Sequence, residues 1–553
     1  MNFLRKKNID ELHKGLSDEN PHGALARHLG VRDLTFFGIA AIIGAGSFSS
    51  IGSACFSGGP AVVLLFIICA VACSFTALCY AEFSSRAPVA GSAYTYAYIS
   101  FGELFAWIIG WALLMEYSIG NIYVAFSWSG YFTNLLDAAG VHFPEWLTIN
   151  YSDAKDAFLT NAKGEGLTAW NAAPELAGLK IIFDLPAVLI NIVITWLVYI
   201  GTKESRDVSN IMVIIKLAII LLVIVVGVFY IDVKNWTPFM PNGFGGVMGG
   251  VAAVFFAYIG FDAVSTLAEE CKNPKRDLPR GMVYSLVICT IVFIVLALVL
   301  TGMMSYSLLK VDDPLAEVFA FRGVKWMLLL VSVAATVAMT SVILVFQMGQ
   351  PRIWMSMSRD GLLPKKFAAV HPKYKTPGFA TIMTGLVVGI PIFFTTPKFV
   401  LDFTSIGTLF AFVLVCGGVL TLPRRKETQR EKGRFQLPYI NARYIMPGML
   451  VLTITLVLCF APDFFSNSLQ VTSQNAAHSI PTLVFFVVCV VMTVLSYLKK
   501  FSLIPVLGFL SCCYLLTGME ASNWKWFGMW LIIGLIIYFV YGYRNSKLVH
   551  KKN

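Results

Sequence analysis

The chain has 553 residues, of which 57% are apolar and only 13% are charged. A soluble globular domain carries about 25% charged residues, so this composition excludes an ordinary soluble domain and indicates an integral membrane protein. The formal net charge of +11 does not indicate a nucleic-acid partner, because the basic residues are divided among loops between apolar stretches.

Fourteen apolar stretches predict an all-α membrane protein, since each approaches the roughly 20 residues that a helix needs to cross the hydrocarbon core of a bilayer. The spans are expected at 34–56, 60–82, 103–133, 181–201, 208–231, 247–271, 282–304, 326–357, 378–396, 400–421, 443–462, 480–498, 501–518 and 525–543.

The distribution of Lys and Arg predicts the orientation of these spans. Basic residues concentrate in alternate loops, above all between Arg424 and Arg443, and the positive-inside rule places such loops in the cytoplasm. Both termini of this cell-membrane protein are then cytoplasmic. The expected organisation is an N-terminal segment 1–33, a core 34–421, a basic loop 422–442, peripheral helices 443–543 and a tail 544–553.

Two spans contain glycines that predict interrupted helices. The first span contains Gly44-Ala45-Gly46, and the sixth contains Gly260 shortly before Asp262. Glycine inside a helix costs about 1 kcal/mol relative to alanine. Irregular backbone at membrane depth is tolerated only where protein or a water-filled cavity satisfies it, so paired interruptions indicate a transporter site. Close packing of small residues between helices is the alternative interpretation.

A pair of breaks suits a zwitterion such as an amino acid. Amides freed in the first span would face a carboxylate at the positive end of its outer half-helix. Carbonyl groups freed in both spans would receive an ammonium group. The predicted binding residues on the two broken spans are Ile42, Ile43, Gly44, Ala45, Gly46, Ser47, Phe256, Ala257 and Ile259.

The sequence around the breaks resembles the amino acid–polyamine–organocation (APC) superfamily, and most closely its cationic amino acid transporter branch. The matching stretches, in chain order, are IIGAGSF at 42–48, YAEF through PVAGSAY at 80–94, FFAYIGFD through NP at 255–274, MSRDGLLP at 357–364 and IIYFVYGY at 536–543. The resemblance implies a LeuT-like core in which 34–231 and 247–421 are inverted five-helix repeats. Ser47 departs from the family pattern, which usually has Ile there.

Three ionisable residues, Glu116, Lys216 and Asp262, lie within predicted spans. Each costs about 2.5–3.5 kcal/mol at mid-membrane on insertion scales, so each needs a partner or a function. The resemblance implies that Lys216 replaces a sodium ion between the first and eighth spans and makes proton coupling possible; a lysine that snorkels to the interface is the alternative. Asp262 is predicted to bind substrate or protons and Glu116 to support coupling, and bracing of neighbouring helices stays open for both.

Another set of charges is predicted at the cytoplasmic ends of the spans. Glu82 and Arg86 are four residues apart in the favourable order. With Glu269, Glu270 and Arg352 they are expected to form an inner gate. Solvation of charges at helix ends is the alternative interpretation.

These features predict a secondary active transporter that takes up L-amino acids with protons and needs no cofactor or metal. An enzyme is not expected, because the sequence shows no phosphate loop, nucleophile elbow or metal cluster. An amino acid exchanger, a polyamine carrier and a non-transporting amino acid sensor stay open as alternatives. Met339 aligns with a position that shapes the substrate pocket in relatives and would favour a small side chain, or else only packs. The choice between cationic and small neutral amino acids stays open.

Overall fold

The computed structural model describes residues 5–7, 25, 27–44, 46–161, 164–176, 178–311, 313–423, 435–460, 476–519 and 521–550. Within these ranges the chain is almost entirely helical. The helices are α1 (Val31–Ile42), α2 (Ile51–Gly58), α3 (Val62–Arg86), α4 (Ala93–Ser100), α5 (Glu103–Ala138), α6 (Tyr151–Thr160), α7 (Glu165–Ala172), α8 (Leu185–Ile200), α9 (Thr202–Val228), α10 (Gly243–Gly249), α11 (Val251–Tyr258), α12 (Pro274–Met303), α13 (Pro314–Phe321), α14 (Lys325–Arg359), α15 (Gly378–Ile392), α16 (Pro397–Thr421), α17 (Ala442–Phe460), α18 (Ala476–Lys499), α19 (Leu503–Thr517), α20 (Ala521–Ile537), α21 (Tyr543–Asn545) and α22 (Lys547–His550).

Eight of the described helical segments are long and apolar enough to cross a membrane, and four shorter apolar helices accompany them. The predicted all-α membrane protein is therefore confirmed. Each predicted span overlaps helical structure, and the helical structure of the first and sixth spans is interrupted. A hairpin of β1 (Glu175–Leu176) and antiparallel β2 (Leu179–Lys180) follows α7 in the long loop after α5.

The long helix α5 packs against α14 in the centre of the molecule. Trp128 donates its indole N–H to the Thr340 hydroxyl at 2.8 Å, and the ring of Tyr117 stacks on Phe346 with centroids 5.3 Å apart. Because α5 and α14 are 36 and 35 residues long, each reaches from one membrane face to the other. This pair supplies a scaffold beside the broken spans.

The described residues nearest the two chain ends, 5–7 and 543–550, lie on one face of the membrane domain. The backbone N–H of Glu103, at the start of α5, donates to the Arg5 carbonyl at 2.9 Å. The Glu103 carboxylate also accepts a hydrogen bond from the Ser546 hydroxyl at 2.6 Å. We call this the terminal face, and the opposite face, where α5 ends, the loop face.

Candidate functional site

The first broken span loses its helical hydrogen bonds after Ile43. Helix α1 ends at Ile42, and Ile43 takes an extended conformation while its N–H donates to the Ile39 carbonyl at 3.0 Å. A π-helical turn, Gly46–Ser50, restarts the span and continues into α2. Ala45 lies outside the described residues.

The amides after this break differ from the expectation. The Ser47 N–H was expected to be free, but it donates to the Gly44 carbonyl at 2.9 Å, because the chain makes a tight turn there. The N–H of Gly46 has no hydrogen-bond partner among the residues that the structure describes. The Ser47 hydroxyl is likewise buried without a described partner. Gly46 and Ser47 therefore offer two donors near the positive end of the outer half-helix.

The sixth span is broken at Gly260. Helix α11 ends at Tyr258, and Gly260 has a φ of +114°, a conformation that glycine adopts without a steric penalty. The chain then forms an unusually long 3₁₀ helix, Phe261–Glu270, whose first turn is closed by the Ala263 N–H on the Gly260 carbonyl at 3.1 Å. The helical ladder is thus interrupted in this span as well.

The two breaks lie against each other. A methyl group on Gly46 would lie 2.6 Å from the Cα of Ala257, and one on Gly260 would lie 2.7 Å from the Cβ of Ala41. At such distances the backbones of the two spans are in contact. Any side chain larger than the hydrogen atom of glycine would push them apart. The predicted binding residues that the structure brings into or beside this crossing are Ile42, Ile43, Gly44, Gly46, Ser47, Phe256, Ala257 and Ile259.

Lys216 of α9 lies between the first and eighth spans. Its side chain is fully buried, and its ammonium group donates to the carbonyls of Ile39, Ala40 and Ile43 at 3.1, 3.2 and 2.7 Å. A fourth bond, of 2.9 Å, goes to the hydroxyl of Ser341 in α14. The lysine is therefore held deep in the protein and does not extend toward a membrane face.

Met339 is fully buried two residues before Ser341 in α14. The same part of α14 touches the first break, because a methyl group on Gly44 would lie 2.3 Å from Cγ2 of Val342. Met339 thus belongs to the segment of the eighth span that lies beside the first break and Lys216.

The carboxylates of Asp262 and Glu116 form a buried acidic pair beside the sixth break. Asp262 accepts a hydrogen bond from the Tyr117 hydroxyl at 3.1 Å. Asp262 and Thr408 lie close to Glu116. Neither carboxylate oxygen of Glu116, however, has a hydrogen-bond partner among the described residues. The Tyr80 hydroxyl lies near both acids and is also unpaired within that part of the chain. This cluster offers several polar oxygens to a bound molecule, water or proton.

Glu269 and Glu270, two of the predicted gate residues, lie on the terminal face at the end of the 3₁₀ helix. Arg352 of α14 donates to Glu270 through Nε at 2.9 Å, and one of its terminal nitrogens lies 2.8 Å from the same carboxylate in an ion pair; both side chains are buried. Arg359 donates to Glu269 at 2.6 Å. The chain just before α1 joins this contact, because the Leu29 N–H donates to the Glu270 carbonyl at 3.0 Å. We call these residues the terminal-face gate.

Glu82 and Arg86 form a separate pair, so the structure divides the predicted gate into two groups. Arg86 donates to Glu82 at 2.6 Å. The pair also holds two described parts of the basic loop: Arg86 donates to the Pro423 carbonyl at 3.0 Å, and Glu82 accepts the Leu437 N–H at 2.7 Å. The central part of that loop, 424–434, lies outside the described residues.

Sequence reasoning missed several residues of the site. Ser341 and Thr408 carry no signal, because single hydroxyl residues are common in membrane helices and bond their own helix. In the sequence, Tyr80 and Tyr117 are indistinguishable from aromatic residues that only pack in the core. Arg359 was a detectable partner for Glu269, since it follows Arg352 by seven residues on the same helix face.

Comparison with known families identifies this architecture. A sequence profile described as amino acid permease matches residues 29–488, and one described as the C-terminus of amino acid permeases matches residues 502–546. This chain belongs to the amino acid permease family. The permease is therefore a multi-pass membrane transporter of amino acids and not an enzyme, as predicted, and its APC membership is confirmed.

Three relatives show the range of the family around this permease. The branched-chain amino acid permease BcaP of Bacillus subtilis (strain 168) is 37% identical over 99% of this chain and 98% of its own length. The methylthioribose transporter of the same organism is 41% identical over 79% of this chain and 89% of its own. The vacuolar cationic amino acid transporter 4 of Arabidopsis thaliana is 31% identical over 99% of this chain and 96% of its own length.

Proposed function

We propose that this permease takes up a neutral L-amino acid together with protons across the cell membrane, and that it binds the amino acid where the first and sixth spans are broken. The observation that carries this proposal is the crossing of two interrupted helices with backbone in contact at Gly46 and Ala257. In such a crossing, amides and carbonyls recognise the α-carboxylate and α-ammonium groups without buried ionic side chains.

A neutral aliphatic side chain fits the other groups at the breaks. Ile42, Ile43, Ala257, Ile259 and Met339 are apolar and buried there. Burial of an aliphatic side chain against them contributes roughly 25 cal/mol per Å² of apolar surface. The name of the Bacillus subtilis relative BcaP, which aligns over nearly the whole chain, supports a branched-chain substrate.

A cationic amino acid is the second candidate. Glu116 and Asp262 place two carboxylates beside the sixth break, and those of their oxygens that lack a partner among the described residues can accept bonds from an ammonium or guanidinium group. The name of the relative from Arabidopsis thaliana, a cationic amino acid transporter, supports this second candidate.

Lys216 supports proton coupling. Its ammonium group binds three carbonyl oxygens of the first span and one hydroxyl of the eighth, which is the oxygen-rich coordination that a sodium ion would require. An ammonium group can release a proton and a sodium ion cannot. Loss of that proton would remove the positive charge and one of the three N–H donors, which would weaken the bonds to the Ile39, Ala40 and Ile43 carbonyls and loosen the first span from the eighth. Glu116 and Asp262 complete the proposed proton route.

In this proposal the terminal face is cytoplasmic. The gate of Glu269, Glu270, Arg352 and Arg359 is then the inner gate, and it opens as the repeats 34–231 and 247–421 move relative to each other. The Glu82–Arg86 pair anchors the cytoplasmic basic loop.

Uptake into proteoliposomes tests the proposal. Labelled leucine should accumulate in sodium-free buffer when the outside is acidic, and unlabelled valine and isoleucine should compete better than arginine, lysine or methylthioribose. Stronger competition by arginine would favour the cationic candidate. Uptake only into vesicles preloaded with amino acid would indicate an exchanger, and binding without flux a sensor; either result would contradict proton-driven uptake.

A further inference from the structure

A buried carboxylate at the start of α5 binds the end of the chain. Glu103 is 1% exposed, and it accepts hydrogen bonds from three hydroxyl groups. Two of them belong to the C-terminal segment: Tyr538 donates at 3.0 Å and Ser546 at 2.6 Å. The third, Tyr98 of α4, donates at 3.0 Å. The last helices are thus attached to the first half of the molecule at one acidic group.

A second carboxylate, Asp360 at the end of α14, binds both chain ends. Its side chain accepts the Tyr94 hydroxyl at 2.6 Å and forms an ion pair with Lys7. Its backbone carbonyl accepts the N–H of Lys547 at 3.1 Å. The next residue, Gly361, has a φ of +83°, and a methyl group there would lie 2.2 Å from the Asn545 carbonyl oxygen. The C-terminal segment therefore docks directly on the turn that ends α14.

The N-terminal residues complete the same structure. The Arg5 carbonyl accepts the Glu103 N–H at 2.9 Å, and the Arg5 guanidinium lies 5.1 Å from the ring centroid of Tyr543. The Lys7 ammonium lies 5.0 Å from the ring centroid of Tyr98. We call residues 5–7 and 538–548, with Glu103 and Asp360, the terminal clamp.

The terminal clamp and the terminal-face gate share the end of α14. Asp360 directly follows Arg359, which donates to Glu269 of the gate. Glu269 also accepts the Ala90 N–H at 3.1 Å, and the Ala90 carbonyl accepts the hydroxyl of Ser356, one turn before Asp360. Any displacement of the α14 end therefore acts on both partners of Glu269.

We infer that the terminal clamp restrains the terminal-face gate, so that release of the chain ends from Asp360 and Glu103 opens the gate more readily. The clamp holds the end of α14 in the position from which Arg359 reaches Glu269. This role is independent of which amino acid the permease carries, because none of the clamp residues lies at the broken spans.

The substitution Gly361→Ala tests this inference with a matched control. At Gly361 an alanine meets both the left-handed backbone conformation and the Asn545 carbonyl. Gly323 has a similar φ of +74° and no atom within 4 Å of an added methyl group. Gly323→Ala thus introduces the same backbone strain without touching the clamp.

Cys271 reports opening of the gate. It is fully buried in the gate, where its backbone pairs with Leu29 beside the Glu270 carbonyl. The full-length protein in detergent is treated with a water-soluble maleimide, and modification of the Cys271 peptide is followed by mass spectrometry. Gly361→Ala should raise the modification rate about tenfold, the factor for loss of one hydrogen bond to a charged group. Gly323→Ala should leave the rate at that of the parent protein.

A milder variant keeps the test decisive if Gly361→Ala does not fold. The double variant Tyr538→Phe/Ser546→Ala removes two hydroxyl groups from Glu103 and retains the side-chain packing. Lys7→Gln removes the ion pair with Asp360. Faster modification of Cys271 in these folded variants supports the clamp. Rates equal to the parent in all of them overturn the inference.

Discussion

Lys216 shows how a basic side chain can be fully buried with no carboxylate partner among the described residues. Four oxygen atoms surround its ammonium group, and three of them are carbonyls from the last turn of α1. Carbonyls at the C-terminal end of a helix carry partial negative charge, so they stabilise a cation there. The interruption of the first span therefore creates the site that the lysine occupies.

Lys216→Ala should reduce proton-driven accumulation of the substrate about tenfold or more, because the carbonyls of Ile39, Ala40 and Ile43 lose a charged donor. Ser341→Ala removes one of the four oxygens and should produce a smaller loss. Initial uptake with and without an inward proton gradient measures both. The exposed Lys203 at the start of α9 provides the control, and Lys203→Ala should behave as the parent. Full accumulation by Lys216→Ala would exclude a coupling role.

The sequence revealed Lys216 but not its partners. A lysine within an apolar span is conspicuous because insertion penalises it. Ser341 is not conspicuous, and the three carbonyls carry no side-chain signal at all. The buried acids Glu116 and Asp262 were visible in the same way as Lys216, whereas Thr408 and Tyr80, which lie near them, were not.

At the scale of elements, two broken helices lie in contact because small residues occupy their crossing. Gly46 and Ala257 bring backbone against backbone, and Gly260 supplies a left-handed turn that places Asp262 at the start of the 3₁₀ helix. The glycine pattern predicted both breaks. The turn that engages the Ser47 amide was not predictable, because it depends on how the two halves of the span are offset.

Gly46→Ala should weaken substrate binding, because its methyl group would lie 2.6 Å from Ala257 and force the breaks apart. Overpacking of this kind costs about 1–3 kcal/mol, which corresponds to a loss of roughly 5-fold to 150-fold in affinity. Gly249→Ala, in α10 with no atom within 4 Å of the added group, is the matched control. Scintillation proximity binding measures both variants. Equal affinities would show that the close crossing is not needed for binding.

At the scale of the whole molecule, the peripheral helix α20 is attached to the central helix α5 by a pair of tryptophans. The indole N–H of Trp111 donates to the Trp530 carbonyl at 2.8 Å, and that of Trp530 donates to the Trp111 carbonyl at 2.9 Å. Their rings stack with centroids 4.6 Å apart. Trp107 adds a bond of 2.8 Å to the Gly534 carbonyl. The last helices are therefore fixed to the transport core.

Trp530→Ala should lower the thermal stability of the purified protein, because it removes the stacking and the N–H donor. The expected loss is roughly 3 kcal/mol, at the low end for large aromatic side chains, since Trp530 is only partly buried. Trp196→Ala, at a residue that is 63% exposed on α8, should change the melting temperature little. Fluorescence-detected thermal unfolding compares the two. Equal melting temperatures would mean that α20 contributes no stability through this contact.

The length of the apolar stretches alone predicted the helical organisation. It did not predict how the N- and C-terminal segments attach to the core. Apolar stretches of about 20 residues predict spans regardless of their neighbours. Glu103 accepts hydrogen bonds from Tyr538 and Ser546, which lie 435 and 443 residues later in the chain. No local sequence pattern predicts such a pairing. The spacing of Glu82 and Arg86 indicated that these two charges would pair, whereas the partners of Glu269 and Glu270 depended on contacts between distant helices.

The bonds to Glu103 also impose an order on biosynthesis. The ribosome makes α5 long before it makes Tyr538 and Ser546, so the nascent chain carries an acidic group whose final partners do not yet exist. The membrane domain can complete its packing at this point only after translation has finished. A polypeptide truncated before the last helix would lack two of the three hydroxyl groups that bond this carboxylate, and only Tyr98 of those three would remain.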